Sequence, residues 1–287
     1  MDWMIYVNRK RKVEPTPSGQ ADRHGENLEE SMNIDKLRVQ LEDYCDKYAT
    51  ISMRREDGIL EITLGTDGGP LQWGRQPHAE LEEAFLNIGR DRENQLVIMT
   101  GTGEEFSGPV AEAESNRAAH KQTPDEWAEL GWESNRLLTN LLAIDVPMIS
   151  AVNGPAARHA ELPVMCDIVL AAEQATFQDS AHYAGGLVPG DGVHVVFPMI
   201  MGLNRGRYFL LTGQVLDAHR AMEYGLVNEV LPRGQLLPRA WELAREIMLQ
   251  PEMNRRYSRL LLTEQLRRQL HELLPYGLAL EGLAITR

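Results

Sequence analysis

An α/β fold with a helical C-terminal region is what this sequence predicts, and three observations carry the prediction. Short apolar runs recur between polar or glycine-containing breaks, as buried strands require. Between them lie segments whose apolar residues repeat at helical spacing. Beyond residue 231 the strand-like runs cease and only helical patterns remain.

Taken in order, residues 51–55 and 59–64 read as a strand pair around Asp57-Gly58. An Asp-Gly pair accepts the positive φ of both central positions of a type I′ hairpin. Residues 77–91 put Leu81, Ala84, Phe85 and Ile88 on one helical face. Residues 96–100 form a buried strand, and 124–144 a longer helix carrying Trp127, Leu130, Leu137, Leu138, Leu141 and Leu142. Residues 148–152 and 168–172 are further buried strands. Asp217 starts a helix that Gly225 ends, a carboxylate meeting the orphan amides and a glycine taking the left-handed stop. A strand at 227–231 follows, then helices at 236–249 and 251–274.

The chain has 287 residues, 43% of them hydrophobic and 25% charged, an ordinary globular composition. Residues 1–31 are polar and charge-mixed, and predict a disordered leader. Met32, ahead of the amphipathic Ile34, Leu37, Leu41 and Tyr44, is an alternative start. The expected division is this leader, a core domain over 32–230 and a helical region over 231–287. A net charge of −13 argues against nucleic acid as a partner, because phosphate binding needs a basic face. No apolar run is long enough to span a bilayer, and no secretory signal pattern opens the chain, so cytoplasm is the default. Cys45 and Cys166 are isolated, which suggests neither a disulfide framework nor a metal site.

Residues 146–191 read VPMISAVNGPAARHAELPVMCDIVLAAEQATFQDSAHYAGGLVPGD. Their ordered marks are V-P-x-I-x-A-V-N-G, then E-L-x-x-x-C-D-I-V-L-A-A-E-x-A-x-F, then P-G-x-G. Further on, NRGRYFLLTGQVLDAHRAMEYGLVNEVLP carries L-L-T-G and a later G-L-V-x-x-V. Taken singly, Asn153-Gly154-Pro155 is a turn and Asp167 a strand-edge carboxylate. As an ordered set over about residues 50–250, they resemble the crotonase (enoyl-CoA hydratase/isomerase) superfamily. The resemblance implies a crotonase-like spiral of ββα units, a C-terminal helical trimerisation region, and a homotrimer or dimer of trimers. It also implies an oxyanion site made by two backbone N–H groups.

Three departures from an ordinary hydratase redirect the chemistry. Where hydratases carry a glycine triplet, this chain reads Pro155-Ala156-Ala157-Arg158-His159-Ala160-Glu161, one residue shorter. Glycine lets a backbone amide approach a ligand closely, and an imidazole is an alternative donor. The glutamate expected seven residues before the proline of P-G-x-G is His182, with Asp191 inside that motif. A histidine with an aspartate nearby is the kit for activating water. The loop F-S-A-G-A-D of typical members is Phe106-Ser107-Gly108-Pro109-Val110-Ala111, with Val110 the candidate amide donor because proline has none.

These departures resemble those of 6-oxocamphor hydrolase and related β-diketone hydrolases, which cleave a carbon–carbon bond by a retro-Claisen reaction without CoA. The resemblance assigns the catalytic pair to His182 and Asp191, a second active-site histidine to His159, an indole donor to Trp73 of LQWGRQPHAEL, and an acidic residue to Glu281 of GLALEGLA. The expected substrate is a small diketone, with no metal and no cofactor. Two rivals remain: a CoA-dependent hydratase, isomerase or acyl-CoA hydrolase, and a catalytically silent homologue. His78, His120, His219 and His271 read as solvated or core side chains, and His194, at a helix start after P-G-D-G, as structural. Cys166 reads as a small buried hydrophobe.

Overall fold

The computed structural model describes residues 38–108 and 122–285. The expected leader, Met32, His120 and Val110 lie outside these residues. The framework is a six-stranded sheet. Its first five strands are β1 (Ile51–Glu56), β2 (Ile59–Leu64), β3 (Leu96–Gly101), β4 (Met148–Val152) and β5 (Ile168–Ala172). Two short strands, β6 (Thr176–Phe177) and β7 (Leu216–Asp217), pair with each other, and β8 (Glu229–Leu231) closes the sheet beside β5. Asp57 and Gly58 both have positive φ, 51° and 81°, so the β1–β2 turn has the backbone that its sequence predicts. All later neighbours in the sheet are parallel.

Parallel neighbours need crossovers. These are α1 (Arg75–Arg90), α2 (Pro124–Ala143), the short α3 (Glu161–Val164), and then α4 (Val193–Met201), α5 (Leu203–Thr212) and α6 (Ala218–Glu223). Between strand and helix the chain adds a short rung: Gln72 bridges Gly108, Ser107 bridges Ala156, and Ala156 bridges Phe177. Strand, rung and helix repeat, winding the chain into a spiral of ββα units. Leu81, Ala84, Phe85 and Ile88 of α1 are buried, as their spacing requires, and Thr123 with Glu126 forms a capping box on α2.

Two further helices finish the described chain, α7 (Arg233–Met248) and α8 (Glu252–Ile285). Leu236, Ala240, Trp241 and Ala244 of α7 pack on the sheet face made by Ile59, Leu96, Ile98, Ile149 and Leu170. On α8, Arg259 donates to the Ile144 carbonyl at 2.7 Å and pairs with Asp167, while Arg256 pairs with Asp145 at 2.5 Å. These buried cations are satisfied, as burial demands.

The structure corrects two boundaries and adds one helix. The last helix does not stop at residue 274 but continues through Pro275 to Ile285. A proline removes one helical hydrogen bond, yet burial of Leu274, Leu278 and Glu281 holds the next turns in place. The strand expected at 227–231 pairs only from Glu229. The helix starting near His194 is followed by α5, whose pattern Gly202, Gly206 and Pro198 obscure. Gly206 is required there, because a methyl group would overlap the Pro198 backbone across the α4–α5 contact.

Candidate active site

His182 stands at the entry to a short 3-10 turn, Tyr183–Gly185, in the connection between β6 and α4. It is buried and bracketed by carboxylates. Its Nδ1 lies 2.7 Å from Asp179 Oδ1, and its Nε2 lies 3.1 Å from Asp191 Oδ2 and 3.8 Å from Glu281 Oε1. Burial alone disfavours charge on this ring, but the Asp191 and Asp179 carboxylates overcome it and raise the His182 pKa well above 6.5. Burial also opposes charge on Asp191, yet the neighbouring His182 and His159 hold its carboxyl well below the usual range.

His159 lies in the turn between β4 and α3 with a φ of 48°, a left-handed conformation uncommon for a side chain of this size. Its Nδ1 sits 2.6 Å from Glu161 Oε1 and 3.7 Å from Asp191 Oδ2. Burial works against its charge, and the Glu161 and Asp191 carboxylates outweigh that, so its pKa is raised. The Trp73 indole stacks on the ring at 4.0 Å between centroids, with a 33° tilt. Trp73 is itself held by its backbone N–H, which donates to the Gly108 carbonyl at 2.7 Å. His78 of α1 lies edge-on to both rings, between Ser134 and Glu133 of α2. Burial pushes its pKa down to about 3, so it is neutral.

Glu281 reaches the site from the last turns of α8. The helix passes close to the Asp191 turn, because a methyl group on Gly277 would overlap the Gly190 carbonyl and one on Gly190 would overlap Gly277. A methyl group on Gly282 would overlap the Trp127 indole. Burial, with the Asp191 charge adding, pushes the Glu281 pKa up to about 8. Asp191 Oδ1 and Glu281 Oε2 are buried and have no hydrogen-bond partner among the described residues. Buried acceptors of this kind are where water or substrate binds.

These groups line a cavity of about 210 Å³, whose apolar walls are Trp73, Trp127, Leu130 and Leu187. Four sequence-predicted residues, His182, Asp191, His159 and Glu281, converge within it, and Trp73 forms a wall. Two carboxylates that the sequence reading passed over hold the histidines, Asp179 and Glu161. Glu161 had a signal, since a carboxylate two residues from an active-site histidine is a natural partner. His78 shares the wall, although nothing in the sequence separates it from an ordinary core histidine. His194 sits outside, its Nε2 3.3 Å from the Leu273 carbonyl of α8. Cys166 is buried, and its thiol is pushed up to about 12.

Among the described residues, His159, Glu161 and Asp191 bring one nitrogen and two carboxylate oxygens within 4.8 Å of one another. That grouping is a hydrogen-bonded one. Its shortest contact, His159 Nδ1 to Glu161 Oε1, is 2.6 Å, a hydrogen-bond distance.

The chain belongs to the enoyl-CoA hydratase/isomerase family, which it matches over residues 56–282. It is similar to a β-diketone hydrolase from the cyanobacterium Anabaena sp. PCC 7120, solved with (S)-3-oxocyclohexyl acetic acid bound. The identity is 44%, the match covers 85% of this chain and 97% of that one, and the TM-score is 0.79. An enoyl-CoA hydratase/isomerase structure from Mycobacterium paratuberculosis is 26% identical, over 84% of this chain and 96% of that one, with a TM-score of 0.74. A carnitinyl-CoA dehydratase of Salmonella paratyphi A is 32% identical over 200 residues, 69% of this chain and 74% of its own length. No described helix is long and apolar enough to cross a membrane.

Proposed function

We propose that the protein hydrolyses a carbon–carbon bond of a small, cyclic β-diketone by a retro-Claisen reaction. The observation that carries this reading is the meeting of His182, Asp191, His159, Trp73 and Glu281, from separate stretches of chain, in one cavity. The likeness to a β-diketone hydrolase at 44% identity supports it. So do the cavity's apolar walls, Trp73, Trp127, Leu130 and Leu187, which suit a compact carbon ring.

In this reading water gives a proton to His182 Nε2 as its oxygen bonds to one carbonyl carbon, and the carbonyl π pair moves onto oxygen. Asp191 stabilises the resulting imidazolium. The tetrahedral intermediate re-forms its C=O and breaks the bond to the central carbon, whose electron pair delocalises onto the second carbonyl as an enolate. With its Nδ1–H engaged by Glu161, the protonated His159 ring offers Nε2–H as its donor, and with the Trp73 N–H it stabilises the enolate oxygen. His182 returns its proton to carbon, giving a keto acid. Glu281 orients the water.

One observation favours a second reading: carnitinyl-CoA dehydratases share 32% identity with this chain, so a CoA thioester is the rival substrate. The deciding experiment is turnover of cyclic β-diketones, followed as loss of diketone and gain of carboxylic acid, beside turnover of enoyl-CoA. Hydration of the thioester by a protein inert toward diketones would overturn the proposal.

A further inference from the structure

The sequence offers Asp191 as the carboxylate partner of His182, the group that would hold its ring proton. The structure gives that contact to a different residue. Asp179 follows β6, and its Oδ1 lies 2.7 Å from His182 Nδ1 and accepts the His182 backbone N–H at 3.4 Å. Asp191 faces the opposite nitrogen, on the cavity side, where Glu281 also stands. We infer that Asp179 is a positioning residue of this site, holding the Nδ1–H of His182 so that Nε2 is the nitrogen presented to Asp191 and to the cavity.

The arrangement around Asp179 suits that task. Its neighbours are stapled to the segment leading to His159: the Gln178 N–H donates to the Ala156 carbonyl at 3.1 Å, and the Ser180 N–H and hydroxyl donate to the Ala157 carbonyl at 3.2 and 2.6 Å. The carboxylate is buried, so its charge is poorly screened. An imidazole has two equally reachable orientations about its last torsion, and a carboxylate behind one nitrogen selects between them. With carboxylates at both nitrogens, the protonated ring is favoured to higher pH than in a free histidine, and the ring can act as a base only once Nε2 has lost its proton. Asp179 therefore sets both which nitrogen exchanges protons with the cavity and the pH at which it does so. Among the described residues, the other charged or titratable groups near this ring are Asp191 from the turn before α4, His194 of α4, Glu281 from α8, and His159 from the turn before α3. Arg158 also feels the Asp179 charge.

The rate arm of the test rests on the hydrolase reading, and the spectroscopic arm does not. In Asp179→Asn the amide oxygen still accepts from Nδ1–H, but the charge is gone. In Asp179→Ala both are lost. Nitrogen-15 NMR of histidine-labelled full-length protein, with the His182 signal assigned by its loss in His182→Gln, follows the ring's titration and tautomer. The expected result is a titration midpoint lower by roughly one to three pH units in both variants, the usual effect of removing an adjacent opposite charge. The neutral ring should stay Nδ1-protonated in Asp179→Asn and become a mixture of tautomers in Asp179→Ala. On a β-diketone that the parent cleaves, kcat should fall by at least about tenfold in Asp179→Ala with KM little changed, and recover in part in Asp179→Asn. The acid limb of the pH–rate profile should move with the NMR midpoint. A His182 midpoint unchanged in the folded Asp179→Asn variant, or a neutral ring that stays wholly Nδ1-protonated in the folded Asp179→Ala variant, would overturn the inference. A parent inert on diketones, with the His182 titration still shifted by Asp179→Asn, would sink the hydrolase reading alone.

Discussion

Replacing Asp191 by asparagine keeps the shape of the site and removes one charge from the cavity side of His182. The separation of Asp191 Oδ2 from His182 Nε2 is 3.1 Å. Two unit charges at that distance attract by about 5 kcal/mol at an effective dielectric near 20. That sets an upper limit of roughly four pH units on the fall in the His182 midpoint, at about 1.36 kcal/mol each. The amide dipole and the remaining Asp179 carboxylate reduce it, so a drop of roughly one to three is expected. The sign follows from the role. A base works only when neutral, so activity falls as pH drops through its pKa, and lowering that pKa moves the acid limb of the profile to lower pH. The plateau rate should fall by about two to four orders of magnitude, because the imidazolium formed during water attack has lost its partner. The assay is the pH dependence of kcat/KM on a cyclic β-diketone, with circular dichroism to confirm the fold. An acid limb that stays in place while the rate falls would show that Asp191 acts directly on substrate or water and not through His182.

Glu281→Gln tests the buried acid of α8. A carboxyl whose pKa is raised from 4.5 to about 8 on folding favours the folded state while protonated and progressively destabilises it as pH rises between those values. The glutamine variant should lose less stability than the parent over that window in urea unfolding; parallel curves would show that Glu281 is not a buried acid. Gly277→Ala should push α8 off the Asp191 turn, lowering turnover by at least about tenfold, as misplacement near 1 Å does, while the sheet stays intact. Unchanged turnover would mean that the close approach is not needed. A homotrimer or dimer of trimers is expected from the apolar surface along α5 and α8, where Leu203, Tyr208, Tyr257, Leu261 and Leu262 are 60–79% exposed. Light scattering showing only monomer across the micromolar range would refute it.

The strands and the first two long helices were legible because each obeys one strong rule. An Asp-Gly pair fixes the first hairpin, and the apolar spacing of 77–91 and 124–144 fixes which faces are buried. The helix through Pro275 was not legible, since proline is a local stop signal and what overrides it is burial of the following turns, where Gly277 meets Gly190, 87 residues earlier in the chain. Ordered motifs pointed to His182, Asp191, His159, Trp73 and Glu281. They did not say which nitrogen of which ring each carboxylate would meet. Asp179 escaped notice because its importance lies in a single side-chain contact across a three-residue turn. Nothing in the pattern distinguishes it from the many aspartates that simply begin turns.

An imidazole used as an oxygen donor in place of a backbone amide has a consequence for pH. A backbone amide is a donor at every pH, whereas an imidazolium loses one of its two donor protons when it titrates, and with Nδ1–H held by Glu161 the one lost is Nε2–H. His159 holds a backbone at a φ of 48°, which costs energy and persists only where the surroundings over-determine it. Here the Glu161 contact at 2.6 Å and the Trp73 stack at 4.0 Å supply that constraint, and the carboxylates keep the ring protonated to higher pH than a free histidine. The proposed reaction then needs a neutral His182 and a protonated His159 at the same time. Each histidine feels the other and both feel Asp191, so the two limbs of the expected bell-shaped profile belong to the coupled cluster rather than to one ring each. His159→Gln separates them. The amide keeps a donor that does not titrate, so the alkaline limb should vanish or move well upward, while the acid limb shifts only because a neighbouring positive charge has gone. Comparison of kcat/KM profiles for parent and variant on one diketone reads this directly. An alkaline limb that persists unchanged in His159→Gln would assign it to another group and remove His159 from the oxygen-binding role.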